Sequence, residues 1–242
     1  MEQQTIPIQE HKLKIIEIID EAPDTKTFRV GVPEETEINF FPGQFFIVRF
    51  EDNPAVQRAY SIASSPSQKN YMDITIGLVG EFTHKLWETK IGNFLLFEGP
   101  YGKFYFNETM NNNLVLIGGG LGITPLTSII RYCNDKKLQN KINFIYSVKT
   151  PEHIVYHDEL KKIKEQNPNF KYTVTITRPS EEQEWDGRTG RIDIGLLKQN
   201  IENTENSLFY LCGPLEFVKV KMAMLENLGA KKEQIKTDIW GG

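Results

Sequence analysis

The sequence predicts two domains in series: an N-terminal antiparallel β-barrel over residues 1–110 and, over residues 111–242, an α/β domain built on a doubly wound parallel sheet. Three observations predict this. The first half reads as short strands punctuated by Gly and Pro, the stretch Glu108-Thr109-Met110-Asn111-Asn112-Asn113 is polar and turn-forming, and beyond it strands alternate with helices. In order, Lys12–Ile19 is rich in β-branched residues, Thr25–Val30 alternates loosely, and Pro42-Gly43-Gln44 signals a turn before the alternating run Phe45–Phe50. Tyr71–Ile76 alternates polar with apolar, and Asn93–Phe97 ends at Glu98-Gly99-Pro100. One helix interrupts the strands; it is expected to start at Thr83 as its cap and to run to Gly92.

In the second half, Asn113–Ile117 is a short strand with a wholly apolar run. A helix is expected to open at Thr124-Pro125, with Thr124 as cap and Pro125 in the first turn. Strands are expected over Ile142–Val148, Tyr172–Thr177, Ser207–Cys212 and Lys236–Trp240. Helices are expected over Tyr156–Lys164, Ile192–Lys198 and Pro214–Leu228, the last stopped by Gly229. Such alternation implies a parallel sheet covered by helices. No internal repeat is evident.

Composition narrows the function. The chain has 242 residues and a net charge of −4, with 28 basic and 32 acidic side chains, and no basic stripe interleaved with aromatics, so nucleic acid is not an expected partner. The two cysteines, Cys133 and Cys212, lie far apart with no CxxC, which argues against a zinc knuckle or a cysteine-ligated cluster. His153 and His157 are four apart but carry no HExxH pattern, and they read as a solvated helix face; no metal site is expected. The opening Met1-Glu2-Gln3-Gln4-Thr5 has neither a basic nor an apolar leader region, and no apolar run reaches the ~20 residues of a membrane span, so a cytoplasmic protein is expected.

The sharpest local feature is Gly118-Gly119-Gly120-Leu121-Gly122-Ile123-Thr124-Pro125, lying between a buried strand and a helix. Glycines there permit a tight turn and close approach of a ligand, and the helix start offers unpaired N–H groups to a phosphate. The pattern is not GxGxxG. The next strand ends Phe144-Ile145-Tyr146-Ser147, without the acid that would hold a ribose diol. Phosphate binding and close helix–sheet packing both stand as readings of this turn.

Several motifs then occur in a recognisable order. Arg58-Ala59-Tyr60-Ser61 resembles the Arg-x-Tyr-Ser signature of the ferredoxin–NADP(+) reductase superfamily, and Gly80-Glu81-Phe82-Thr83 is similar to its second flavin motif. Gly99-Pro100-Tyr101-Gly102-Lys103-Phe104 is similar to its Gly-Pro-x-Gly-x-Phe. Gly118–Pro125 resembles its nucleotide turn, Cys212-Gly213-Pro214 its Cys-Gly-Pro, and Asp238-Ile239-Trp240-Gly241 its acid-x-aromatic ending.

The resemblance spans nearly the whole chain. It implies FAD on the N-terminal barrel, NAD(P)H on the C-terminal domain, and hydride transfer between them, the protein supplying position and the cofactors the chemistry. It implies that Arg58 pairs with the flavin pyrophosphate, that Ala59 lies in the same motif, that Tyr60 packs on the isoalloxazine, and that Ser61 hydrogen-bonds near flavin N5. Gly80, Phe82 and Thr83 would serve the pyrophosphate, and Gly118, Gly120, Gly122 and Thr124 the dinucleotide. Cys212 and Gly213 would lie beside the nicotinamide, and Trp240 over the flavin face opposite Tyr60. Ser61, Cys212 and Trp240 are thus the residues expected at the reacting rings. Many relatives carry a basic residue where this chain has Ile76-Gly77-Leu78-Val79, which leaves FMN as the alternative flavin. Arg178 would hold a ribose 2′-phosphate, yet Arg178-Pro179 with Trp185-Asp186-Gly187 and Gly190-Arg191-Ile192 also occurs in NADH-using relatives, and both nicotinamides stay open.

Three functions follow from the resemblance: a reductase of a small carrier such as ferredoxin or flavodoxin, an electron-transfer subunit of a multicomponent enzyme, or a flavin-binding sensor that does not turn over. Retention of Ser61 and Cys212 speaks against the third.

Overall fold

The computed structural model describes residues 6–110, 112–179 and 184–240, with Trp240 described by its backbone alone. The chain divides into two compact units. One takes in residues up to Asn107 together with Thr127–Lys136; the other takes in Glu108–Leu126 together with residues from Lys137 onward.

The first unit holds strands β1 (Gln9–Ala22), β2 (Thr25–Gly31), β3 (Phe45–Phe50), β4 (Asn53–Ser61), β5 (Tyr71–Gly77) and β6 (Phe94–Tyr101), with helix α1 (Glu81–Trp87) between β5 and β6. They form one antiparallel sheet in the order β4-β3-β6-β1-β2-β5. A single bridge between Ile62 and Ile74 joins its two ends, so the sheet curls into the expected barrel. The core follows from period-two alternation: Phe46, Val48 and Phe50 of β3 point inward and pack with Phe28, Phe97 and Leu95. Irregular register in β1, at Ile15/Glu17 and Asp20/Ala22, lets that long strand bend around the barrel.

The second unit holds β7 (Asn113–Gly119), β8 (Ile142–Val148), β9 (Phe170–Ile176), β10 (Arg188–Thr189), β11 (Ser207–Pro214) and β12 (Ile235–Trp240), with α3 (His157–Gln166), α4 (Ile194–Asn200) and α5 (Leu215–Asn227) among the connections. Helix α2 (Ile123–Asp135) follows β7 through a tight turn at Gly120–Gly122. All neighbours pair parallel, in the order β10-β9-β8-β7-β11-β12. Every residue of β8 is buried, as befits a central strand covered on both faces. The chain runs outward from β7 to β10 and then returns to β11 on the other side of β7. That reversal makes the β7/β11 boundary the switch point, where open α/β sheets bind ligands at the strands' C-terminal ends.

Among the described residues, all five helices start within two residues of the expected position but not on it, and the starts of α1 and α2 show why. Helix α1 begins at Glu81, two residues before Thr83, and ends by Trp87. Thr83 therefore sits inside the first turn, where its Oγ1 accepts from the N–H groups of Val79 (2.9 Å) and Gly80 (3.0 Å) and donates to the Gly80 carbonyl (2.8 Å). Helix α2 begins at Ile123, and Thr124 donates its hydroxyl back to the Leu121 carbonyl (2.9 Å) rather than capping the helix. In both places a threonine signals a turn correctly, but its hydroxyl serves a backbone group other than the one a cap would serve. Strand β4 and the two-residue β10 were not expected from the sequence at all. Among the described residues, no helix is long and apolar enough to cross a membrane.

Candidate functional site

In the first unit, Arg58, Ala59, Tyr60 and Ser61 end β4, opposite Val48, Ile47, Phe46 and Phe45 of β3. Alternation sends Arg58 and Tyr60 to one face. There the Tyr60 ring lies 5.9 Å from the Phe82 ring of α1, the Arg58 guanidinium lies 5.9 Å from that same ring, and Phe82 packs in turn on Phe50 at 4.7 Å. The structure therefore gathers Arg58, Tyr60 and Phe82 from two motifs that are more than twenty positions apart. Arg58 is exposed, and its Nη1 donates to the neighbouring Gln57 carbonyl (2.8 Å). Tyr60 is half-buried, and burial pushes its phenol well above the usual range, against the opposing pull of Arg58, so it stays a neutral ring.

The loop before α1 adds a second observation. A Cβ on Gly80 would meet no atom within 4 Å, so the chain's own packing does not call for glycine there, whereas close approach of a ligand would. Beside it, Val79 is 87% exposed, an apolar side chain without a cover of its own. An exposed guanidinium, a neutral aromatic ring, an open glycine and an uncovered valine form a donor set that fits a flavin dinucleotide: cation for diphosphate, apolar surface for ring.

In the second unit Gly118, Gly122, Thr124, Cys212 and Gly213 are buried, Gly120 is half-buried and Arg178 is exposed. Gly118 ends β7 beside Cys212 of β11, and Cys212 lies beside Asp238 of β12 on the other side. A Cβ on Gly122 would fall 2.1 Å from the Cys212 carbonyl oxygen and 2.8 Å from the Gly213 nitrogen, so the turn rests directly on the backbone of β11. Gly119 and Gly213 both lie under the Phe217 ring, and Gly120 has φ +56°, which favours glycine. Close packing thus accounts for Gly122.

The Cys212 side chain is 1% exposed, and its thiol donates to Asp238 Oδ2 at 3.7 Å. Burial, reinforced by that carboxylate, raises the thiol pKa well above its ordinary value, so Cys212 is a neutral donor and not a thiolate. Asp238 enters the sequence reading only as part of a terminal motif; its meeting with Cys212 depends on the register of β11 against β12, which spacing does not reveal. Gly213 pairs with Ile239 and Pro214 with Trp240. The side chain of Trp240 lies outside the described residues, as does Gly241. Arg178 follows β9, exposed at the C-terminal edge, two strands from β7 and hence roughly 10 Å away.

Two family models match the chain: an oxidoreductase FAD-binding domain over residues 12–106 and an oxidoreductase NAD-binding domain over residues 116–222. The glycine betaine monooxygenase reductase subunit of Chromohalobacter salexigens is 29% identical over 238 residues, covering 96% of this chain and 64% of that protein. A subunit of the Na(+)-translocating NADH-quinone reductase of Haemophilus ducreyi is 31% identical over 200 residues, covering 76% of this chain and 49% of its own. The chain spans about half to two thirds of the length of these curated relatives. Among solved structures, the ferredoxin reductase in carbazole 1,9a-dioxygenase matches with a TM-score of 0.84 at 26% identity, over 98% of this chain and 70% of that one. A ferredoxin NADP+ reductase from Neisseria gonorrhoeae with bound FAD and NADP shares the fold, with a TM-score of 0.79 at 24% identity, over 95% of this chain and 98% of that one.

Proposed function

This chain belongs to the ferredoxin–NADP(+) reductase superfamily, and on that footing we propose that it oxidises NADH or NADPH, passes the hydride to a bound FAD and delivers the electrons to a separate acceptor. The observation that carries the reading is the succession, in one chain, of a FAD-binding and an NAD-binding domain, the first with an uncovered donor set at Arg58, Tyr60 and Gly80. The domain boundary falls near residue 110 in this reading.

Bound FAD supplies a two-electron acceptor that can release its electrons singly. The chain's own residues bind and orient. Arg58 holds the diphosphate, Tyr60 provides apolar ring surface with the core residue Phe82 buried behind it, and the Ser61 hydroxyl offers a hydrogen bond at the ring edge. The Val79–Gly80 loop, shaped by Thr83, admits the ligand backbone. Gly118, Gly120, Gly122 and Thr124 form the turn against which the nicotinamide dinucleotide lies. Cys212 keeps its proton and donates it in a hydrogen bond to Asp238 at the end of β11. Arg178 holds a 2′-phosphate when the substrate carries one. A cytoplasmic location goes with this reading.

Anaerobic addition of NADH and of NADPH to the flavin-loaded chain tests it. The yellow colour is expected to bleach with at least one of them. A chain that takes up no flavin, or whose flavin stays oxidised with both, refutes the proposal. Within this reading, the electron-transfer subunit of a multicomponent enzyme is favoured over a stand-alone ferredoxin or flavodoxin reductase. The relative whose match covers 96% of this chain is itself named a reductase subunit. Co-purification of a stoichiometric partner enzyme supports that choice, and fast turnover with ferredoxin or flavodoxin alone opposes it.

A further inference from the structure

We propose that Arg131 is a positioning residue for the flavin side of the site, fixing the backbone that continues from Ser61 by holding the carbonyl oxygen of Ala63. The inference rests on the reading that Ser61 borders a bound flavin. Strand β4 ends at Ser61, and the next residues leave the sheet. Nearly every peptide of that exit is gripped. The Ile62 N–H donates to the Gln44 carbonyl (3.1 Å) and the Ala63 N–H to the Asp73 carbonyl (2.8 Å). Ser64 Oγ accepts from the Asp73 N–H (3.1 Å).

The remaining grips come from one face of α2, from residues that cluster with the first unit. Ser128 Oγ donates to the Ser64 carbonyl (2.7 Å), Arg131 Nη1 donates to the Ala63 carbonyl (2.8 Å), and Asp135 Oδ2 accepts from Ser67 Oγ (2.6 Å). Spacings of three and four put these side chains in a row along the helix. Ser65 Oγ lies 2.6 Å from Ser67 Oγ, which completes the contact.

Arg131 is itself aimed by charge. Its guanidinium lies 3.8 Å from the Asp73 carboxylate, whose side chain is 2% exposed. Arg29 grips the same carboxylate through Nε (2.8 Å) and Nη2 (3.1 Å), while stacking on the Tyr71 ring at 3.9 Å and pairing with Glu17 at 2.7 Å. A buried carboxylate between two guanidinium groups is a poor device for stability alone, because apolar residues of equal volume do as well or better. What it provides is a fixed direction: a planar fork clamped on one side points a donor at one carbonyl on the other. That carbonyl belongs to the second residue after Ser61, so a shift there is passed to the Ser61 hydroxyl through two peptide units.

The test uses the flavin-loaded chain and three variants, Arg131→Met, Arg131→Lys and Ser128→Ala. Stopped-flow flavin reduction is read beside the dissociation constants of flavin and nicotinamide. Arg131→Met is expected to slow reduction at saturating nicotinamide about tenfold, the scale on which small misplacements act, with both dissociation constants within about threefold of the parent. Arg131→Lys, which keeps the charge and much of the reach, recovers most of the rate. Ser128→Ala slows it about threefold. Should Arg131→Met fail to fold, the other two carry the test. Parental reduction rates in Arg131→Met and Ser128→Ala, or in Ser128→Ala alone where Arg131→Met does not fold, overturn the proposal, as does a loss of rate matched by equal loss of flavin affinity. If the parent chain itself takes up no flavin, the flavin reading fails and this inference with it. A parent that is reduced normally alongside indifferent variants refutes the positioning role alone.

Discussion

The two units prepare for a ligand in opposite ways. In the barrel, the candidate residues are side chains on an exposed strand: β4 lies at the end of the sheet order and is exposed along most of its length. In the parallel-sheet unit, the candidate turn is backbone on backbone, with Gly118, Gly122, Cys212 and Gly213 all buried. At Arg58 and Gly80 the barrel therefore displays groups that its own packing does not call for, beside the core residues Tyr60 and Phe82, whereas the second unit builds its turn out of the contacts that hold it together. Binding and stability are separable in the first and joined in the second.

The sharpest way to break this contrast is Gly122→Val. The new side chain would start 2.1 Å from the Cys212 carbonyl oxygen, a backbone atom that cannot swing aside. A loss of about 3 kcal/mol is expected, read as an early unfolding transition in urea together with lost nicotinamide binding. Normal stability in that variant would mean the turn is looser than its geometry indicates. Arg58→Ala should do the reverse. The guanidinium is exposed, donates to its neighbour's carbonyl and lies 5.9 Å from the Phe82 ring, so stability should move by less than about 0.5 kcal/mol. Flavin should dissociate more readily, by about tenfold or more, as loss of a charged hydrogen bond implies. An unchanged flavin dissociation constant removes that role from Arg58.

The smallest effect concerns Cys212. Its folded pKa lies above the ordinary value of 9.0, so above that pH the unfolded chain releases a proton that the folded chain keeps. The stabilising contribution is complete below pH 9 and declines as pH rises. Comparison of the parent with Cys212→Ala should show the parent losing about 1 kcal/mol more between pH 8 and pH 10. Equal slopes in the two proteins would show that the thiol is not held as deeply as its burial suggests.

Much of the architecture was legible in the sequence because periodicity and punctuation agree. Phe45–Phe50 and Ile142–Val148 are strands with the expected ends, and Gly229, at φ +89°, stops α5 as expected. Strand β4 escaped because Asn53-Pro54-Ala55-Val56-Gln57 has no inward face to alternate; pairing with β3 alone makes it a strand. The helix starts at Thr83 and Thr124 were misread because a threonine can serve several turn groups, and sequence does not say which. The candidate side chains were legible one by one, through motif. Their support was not: Asp73 meets Arg131 across fifty-eight positions, and Cys212 meets Asp238 only through strand register.

The exposed strand has a consequence for handling the protein. Before the Ile62–Ile74 bridge that closes the barrel, β4 has β3 as its one strand partner among the described residues, so its outer side is an edge onto which another strand can pair, interrupted by Pro54, which lacks an N–H, and by the charge of Arg58. In the proposed reading flavin lies beside Arg58 and Tyr60 of that strand, so a preparation stripped of it is expected to scatter light sooner on storage than one kept saturated, which makes colloidal shelf life a simple proxy for cofactor content.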